Sequence, residues 1–295
     1  MELSLPDAGG VTWSVAVHDL GGMPLGSVGA DLTLRTASVG KVLLLVEAAR
    51  ALVAGEATAD EPLTRSLEEW VGDSGLWHTL SLETLPLSDV AALVGAVSDN
   101  LATNVLLRRI GLDAVAQRAT MLGLRATALH DRVRDERTSD HAETLSTGSA
   151  AELVDLVGRL ASGTAVSPEA DRLVRQWLSA NVDQTMVGSA FVEHAGLDPI
   201  AHHASLATSS GGLVLWNKTG TDSGIRADVG AVTRDGHTIA WAAIANWSPP
   251  APPPQADAIT PGATLPVSPR MGEELVVWSV LRGMRRLGEQ ILEAL

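Results

Sequence analysis

TASVGKVLLLVEAARALVAG, residues 36–55, is where the sequence changes its grammar. Ahead of it, VTWSVAVHDL (11–20) and SVGADLTLR (27–35) alternate apolar and polar residues around the turn GGMPLG (21–26), the pattern of paired strands. Within it, the apolar residues crowd at helical spacing, with Thr36 placed as an N-cap and Gly55 as a stop. Helical periods then dominate to about residue 190, in SDVAALVGAVSDN (88–100), NLATNVLLRRIG (100–111), LDAVAQRATMLG (112–123) and GSAAELVDLVGRLAS (148–162). Strand grammar returns in GGLVLWNKTGT (211–221), RADVGAVTRDG (226–236) and HTIAWAAIANW (237–247), three runs joined by short polar turns. The chain ends in an amphipathic helix, MGEELVVWSVLRGMRRLGEQILEAL (271–295).

This order predicts an α/β protein of the α+β type. Both chain ends, 1–35 and 205–295, supply an antiparallel sheet of about five strands flanked by terminal helices, and residues 36–204 form an inserted helical lobe. SPPAPPPQADAITPGATLPVSP (248–269) reads as an extended surface loop.

Composition removes several function classes. The 295 residues carry a net charge of −14, which repels a phosphate backbone, so nucleic acid is not an expected partner. No apolar run is long enough to cross a bilayer. With no cysteine, neither disulfides nor thiolate metal sites are available. The N-terminus lacks a basic start followed by an apolar core, so the sequence as it stands reads as cytoplasmic; a secreted protein already trimmed of its leader reads the same. His194, His202 and His203 invite a metal reading, but their spacing matches no helical zinc pair; no metal and no cofactor are expected.

The chain holds two lysines against nineteen arginines. Lysine loses its proton when desolvated and arginine effectively does not, so two retained lysines point to chemistry. Lys41 follows Ser38 by three residues at a helix start, which puts both side chains on one face. A buried amine there can take the serine's proton, and the helix N-terminus offers N–H groups to a developing anion. Lys218 lies in KTGT (218–221) at the end of an alternating strand, where Gly220 removes a Cβ at the strand edge. Ser98-Asp99-Asn100 sits between two helices, where a cap is also expected.

Ser-x-x-Lys, Ser-Asp-Asn and Lys-Thr-Gly, in this order on a helix start, a helix connection and a strand, resemble the set of class A β-lactamases and penicillin-binding proteins. The resemblance spans most of the chain. It implies the serine β-lactamase/DD-peptidase-like fold, with the active site between the two lobes. It implies Ser38 as the acylated nucleophile, Lys41 as its proton acceptor, Ser98 as the relay to the leaving nitrogen, and Lys218 as an electrostatic bias. Asn100, Thr219 and Thr221 would contact substrate, with Gly220 beside them. The backbone N–H groups of Ser38 and Thr221 would form the oxyanion hole. Arg226 is expected to neutralise a substrate carboxylate, and Trp77 resembles the family's aromatic gate.

One part departs from the pattern. The loop that carries the family's deacylating glutamate corresponds to LHDRVRDERTSDHAETLSTGSAAEL (129–153), where that position falls on Arg134. Either Glu136, with Asp135 beside it, supplies the base, or no base is present and deacylation is slow. Three activities follow: opening of a β-lactam amide, hydrolysis of a D-alanyl peptide or simple ester, and a binding protein that acylates once. The substrate is in each case a small acyl compound.

Overall fold

The computed structural model describes residues 1–6, 10–194, 212–248 and 269–295. Strands β1 (Thr12–Asp19) and β2 (Pro24–Val28) form the first hairpin, and β3 (Leu34–Arg35) leads into a 3-10 turn, Ala37–Gly40, that runs directly into α1 (Lys41–Val53). The chain continues through β4 (Pro62–Thr64), β5 (Thr84–Pro86), α2 (Leu87–Val97), α3 (Asn100–Ile110), α4 (Leu112–Met121), β6 (Ala128–Leu129) and β7 (Ser146–Gly148). Helices α5 (Ala150–Ser162), α6 (Pro168–Ser179) and α7 (Gly188–His194) follow. Strands β8 (Val214–Asp222), β9 (Ile225–Arg234) and β10 (His237–Asn246) and the long helix α8 (Pro269–Ala294) close the chain.

The main sheet has five strands in the order β2-β1-β10-β9-β8, every neighbouring pair antiparallel, as the sequence predicts. Its central strand β10 is apolar on both faces because both are covered. Ala240, Ala242 and Ile244 face the core covered by α5, which is continuous with that of α1, α2 and α3, while Trp241, Ala243 and Ala245 face the core that holds α7 and α8. Two apolar cores therefore lie back to back across one sheet.

Helix α1 is surrounded. Its run Val42–Val46 is buried on every side, and each such side chain stabilises the fold by roughly 1.5–3 kcal/mol. The one carboxylate buried with it, Glu47, is paired with Arg50 and Arg118, each at 2.8 Å, which offsets the cost of removing it from water. Helix α1 begins at Lys41 and not at Thr36, because Ala37 has φ +46° and the Thr36 hydroxyl bonds Ser146 Oγ at 2.7 Å instead of capping. Gly55 ends the helix as expected, with φ +71°.

Residues 249–268 of the Pro-rich stretch and His202 and His203 lie outside the described residues; His194 Nε2 is hydrogen-bonded with Arg234 Nη2 at 2.6 Å. No helix among the described residues is long and apolar enough to cross a membrane.

Candidate active site

Ser38 sits in the 3-10 turn, one residue after the left-handed Ala37, a strained backbone position held by its surroundings. Strand β8 is pressed against this turn. A Cβ on Gly220 would lie 2.2 Å from Thr36 O and 3.1 Å from the N–H nitrogens of Ser38 and Val39. The missing Cβ at this strand edge is thus required by the chain's own backbone.

Ser98 ends α2 in the left-handed conformation, φ 55°, and Asp99 starts α3. The Asp99 carboxylate accepts from Ala102 N (2.8 Å), Leu76 N (2.7 Å) and Trp77 N (2.8 Å), so it caps the helix and ties down the loop before it. Asn100 reinforces that loop through Ser74 O and Gly72 O.

Lys41 is fully buried, and its Nζ donates to Ser98 O at 2.7 Å, Ser98 Oγ at 3.2 Å and Asn100 Oδ1 at 2.8 Å. Burial, followed by the charge of Lys218, holds this amine well below the usual lysine range. Lys218 is also fully buried, donates to Thr219 O at 2.8 Å, and is lowered by burial to about 8.

These groups back a cleft of about 530 Å³. Ser38, Ser98, Asn100, Thr219 and Thr221 line it, with Lys41 and Lys218 behind its wall. Among the described residues the Ser38 hydroxyl makes no hydrogen bond, and it faces the cleft on the same turn that leads to Lys41.

Three expected residues lie elsewhere. Trp77 is fully buried in the core around α1, its indole N–H donating to Leu82 O at 2.9 Å, because the Asp99 carboxylate draws its backbone inward. Arg226 does not line the cleft. It donates to Asp222 O (3.0 Å) and Ile225 O (2.7 Å), and its guanidinium lies 5.8 Å from the Trp247 ring centroid. Glu136 is exposed and off the cleft, whereas its neighbour Asp135 lines the cleft and accepts from Gly72 N at 3.2 Å.

The path of the 131–137 loop explains the last difference. Although burial opposes it, Asp131 is held at about 2 by Arg134 (2.7 Å) and Arg137 (2.8 Å), which fold the loop around one carboxylate. The residue gripped from α3 is Val133, whose N–H donates to Asn104 Oδ1 at 2.8 Å while its carbonyl accepts from Asn104 Nδ2 at 3.0 Å.

A second buried network escaped the sequence reading. Asp228 accepts from Val187 N (2.9 Å) and Asn217 Nδ2 (3.0 Å), and burial pushes its carboxyl up to about 7. Asn217 Oδ1 in turn accepts from Asn181 Nδ2 and Gln184 Nε2, both at 2.9 Å, which anchors the cleft wall at 181–183 to β8. The signal was present in the alternation: Asn217 and Asp228 are polar residues at buried strand positions.

A beta-lactamase from Sphaerobacter thermophilus DSM 20745 has a similar fold, with a TM-score of 0.72 at 22% identity over 94% of this chain and 91% of that one. PBP-A gives 0.70 at 22% identity over 97% and 91%, and a mutant of the class A beta-lactamase of the last common ancestor of Gram-negative bacteria gives 0.71 at 21% over 97% and 94%. No curated protein matches. The model of the Beta-lactamase enzyme family matches residues 3–260, and the chain that carries this lysine-backed serine cleft belongs to that family.

Proposed function

We propose that the protein is a serine hydrolase that opens a β-lactam amide through a covalent acyl-Ser38 intermediate. The observation that carries this reading is Lys41: an amine fully buried, depressed in proton affinity, bonded to Ser98 and three residues from a serine on the cleft wall. Neutral Lys41 takes the Ser38 proton as Oγ attacks the lactam carbonyl, and the carbonyl oxygen takes the negative charge in front of the N–H groups of Ser38 and Thr221. The carbon–nitrogen bond then breaks. Ser98 gives its hydroxyl proton to the leaving nitrogen and recovers one from Lys41, to which it is hydrogen-bonded at 3.2 Å. Water finally cleaves the ester.

Thr219 and Thr221 offer hydroxyls to the substrate, and Asn100 divides its amide between Lys41 and the loop at Gly72. For the base in deacylation we assign Asp135 in preference to Glu136, since Asp135 is the one that lines the cleft.

A second reading, a protein that acylates and releases slowly, is favoured by one observation. The loop residue clamped by Asn104 is apolar Val133, so the clamp delivers no carboxylate. PBP-A, similar in fold, has been described in a mutant form as an acyl-enzyme complex with penicillin G.

Incubation with benzylpenicillin followed by intact-mass measurement tests the scheme. Conversion of benzylpenicillin to its ring-opened acid, or a mass increase of one penicillin mapped to Ser38 where release is slow, is expected, each abolished in Ser38→Ala; either one persisting unchanged in Ser38→Ala overturns the scheme.

A further inference from the structure

The end of the cleft beside Thr219 and Thr221 is lined by Asp183 and Asp222. Asp183 is fixed there. Its Oδ1 accepts from Thr185 N at 3.1 Å and Thr185 Oγ1 at 2.7 Å, and its N–H donates to Asn181 Oδ1 at 3.2 Å. Asn181 is bonded to Asn217, the residue before Lys218, so the carboxylate and the lysine belong to one connected frame.

Both cations at this end are already engaged. Lys218 Nζ donates to Thr219 O, and the Asp183 carboxylate is the strongest opposing charge acting on it, ahead of Asp228. Arg226 is spent on two backbone carbonyls and the Trp247 face. A substrate carboxylate entering beside Thr219 and Thr221 therefore meets the like charges of Asp183 and Asp222 on the cleft wall, while the Lys218 ammonium is turned to Thr219 O.

We propose that Asp183 is a specificity-determining residue whose fixed charge on the cleft wall opposes a substrate carboxylate, so that the cleft prefers acyl donors without a carboxylate next to the scissile bond, neutral esters above penicillins. This rests on the reading that Ser38 is the acyl acceptor. Penicillins still enter, but at a disadvantage set by Asp183.

The test uses the full-length protein, benzylpenicillin as the anionic donor and p-nitrophenyl acetate as the neutral one, with acylation of Ser38 followed by mass. In Asp183→Asn the ratio of the two second-order rates, benzylpenicillin over ester, rises roughly tenfold, mostly through tighter apparent binding of the penicillin, while any change that the lost charge brings about through Lys218 moves both rates together and cancels in the ratio. Asp183→Glu, which keeps the charge, holds the ratio near that of the unaltered protein. A ratio that is unchanged or lower in Asp183→Asn, with Ser38 still acylated by the ester, overturns the proposal. If neither donor acylates Ser38 in any form, the acyl-transfer reading itself falls and takes this proposal with it.

Discussion

Lys218 lowers the proton affinity of Lys41. Both ammonium groups are fully buried, and after desolvation the charge of Lys218 is the largest influence on Lys41, with Asp99 and Asp73 opposing it. The base role proposed for Lys41 thus depends on the charge of Lys218. Either lysine in this interior is a costly charge; burial lowers both, Lys218 lowers Lys41 further, and Asp183 and Asp228 oppose the fall of Lys218.

Removing the second charge has a definite sign. In Lys218→Gln, Lys41 holds its proton to higher pH, so the acid limb of the acylation rate moves upward. In the unaltered protein the rate also falls as pH rises past about 8, where Lys218 loses its charge. Lys218→Arg removes that alkaline limb, because a guanidinium does not titrate there. Acylation rates with benzylpenicillin across pH 5 to about 10 measure both limbs, and an acid limb unmoved in Lys218→Gln contradicts the coupling.

Gly220→Ala places a methyl 2.2 Å from Thr36 O, a backbone atom that cannot rotate away. The strand must lift from the Ser38 turn, which costs about 1–3 kcal/mol of stability and pulls Thr219 and Thr221 off the cleft. Thermal denaturation gives the first effect and the Ser38 acylation rate the second. Loss of stability with a normal rate contradicts the inference that this contact aligns the site.

Much of this arrangement was legible before any coordinates. The sheet follows from alternation in β1, β8 and β9, and β10 follows from an apolar run that only a doubly covered strand tolerates. Ser38, Lys41 and Lys218 stood out because lysine is scarce where arginine is plentiful. What sequence distance hides was missed. Gly220 answers to Thr36, 184 positions away, and Trp77 is drawn inward by Asp99, so neither requirement is visible locally. Glu136 and Asp135 are chemically near-equivalent neighbours. The choice between them is made by the Asp131 ion pairs and the Asp135–Gly72 hydrogen bond, which depend on how the loop closes.

Those ion pairs yield a third prediction. Asp131 is held near 2 in the fold, below its usual carboxylate value, so its stabilising contribution is complete above about pH 4 and is lost as pH falls through about 2. Asp131→Asn removes the charge that gathers Arg134 and Arg137, with a loss of about 1–3 kcal/mol. Amide exchange at residues 132–137 should speed up while α1 stays protected, and unchanged exchange in the loop contradicts the caging.

The release step separates the two neighbouring carboxylates. Asp135 lines the cleft and is held by Gly72 N, while Glu136 is exposed outside it. In Asp135→Asn the benzylpenicillin adduct on Ser38 therefore persists at least about tenfold longer, since general-base assistance contributes roughly 10²–10⁴-fold where it operates. Glu136→Gln leaves the adduct lifetime unchanged. Acylation rates in both variants stay near those of the unaltered protein, because the proposed scheme gives removal of the serine proton to Lys41 and not to the loop. A lifetime unaffected by either substitution shows that no side chain of this loop activates the water, and the protein then belongs with acyl-enzymes that release slowly. A lifetime lengthened by Glu136→Gln alone moves the base to Glu136 and requires the loop to close further over the acyl group.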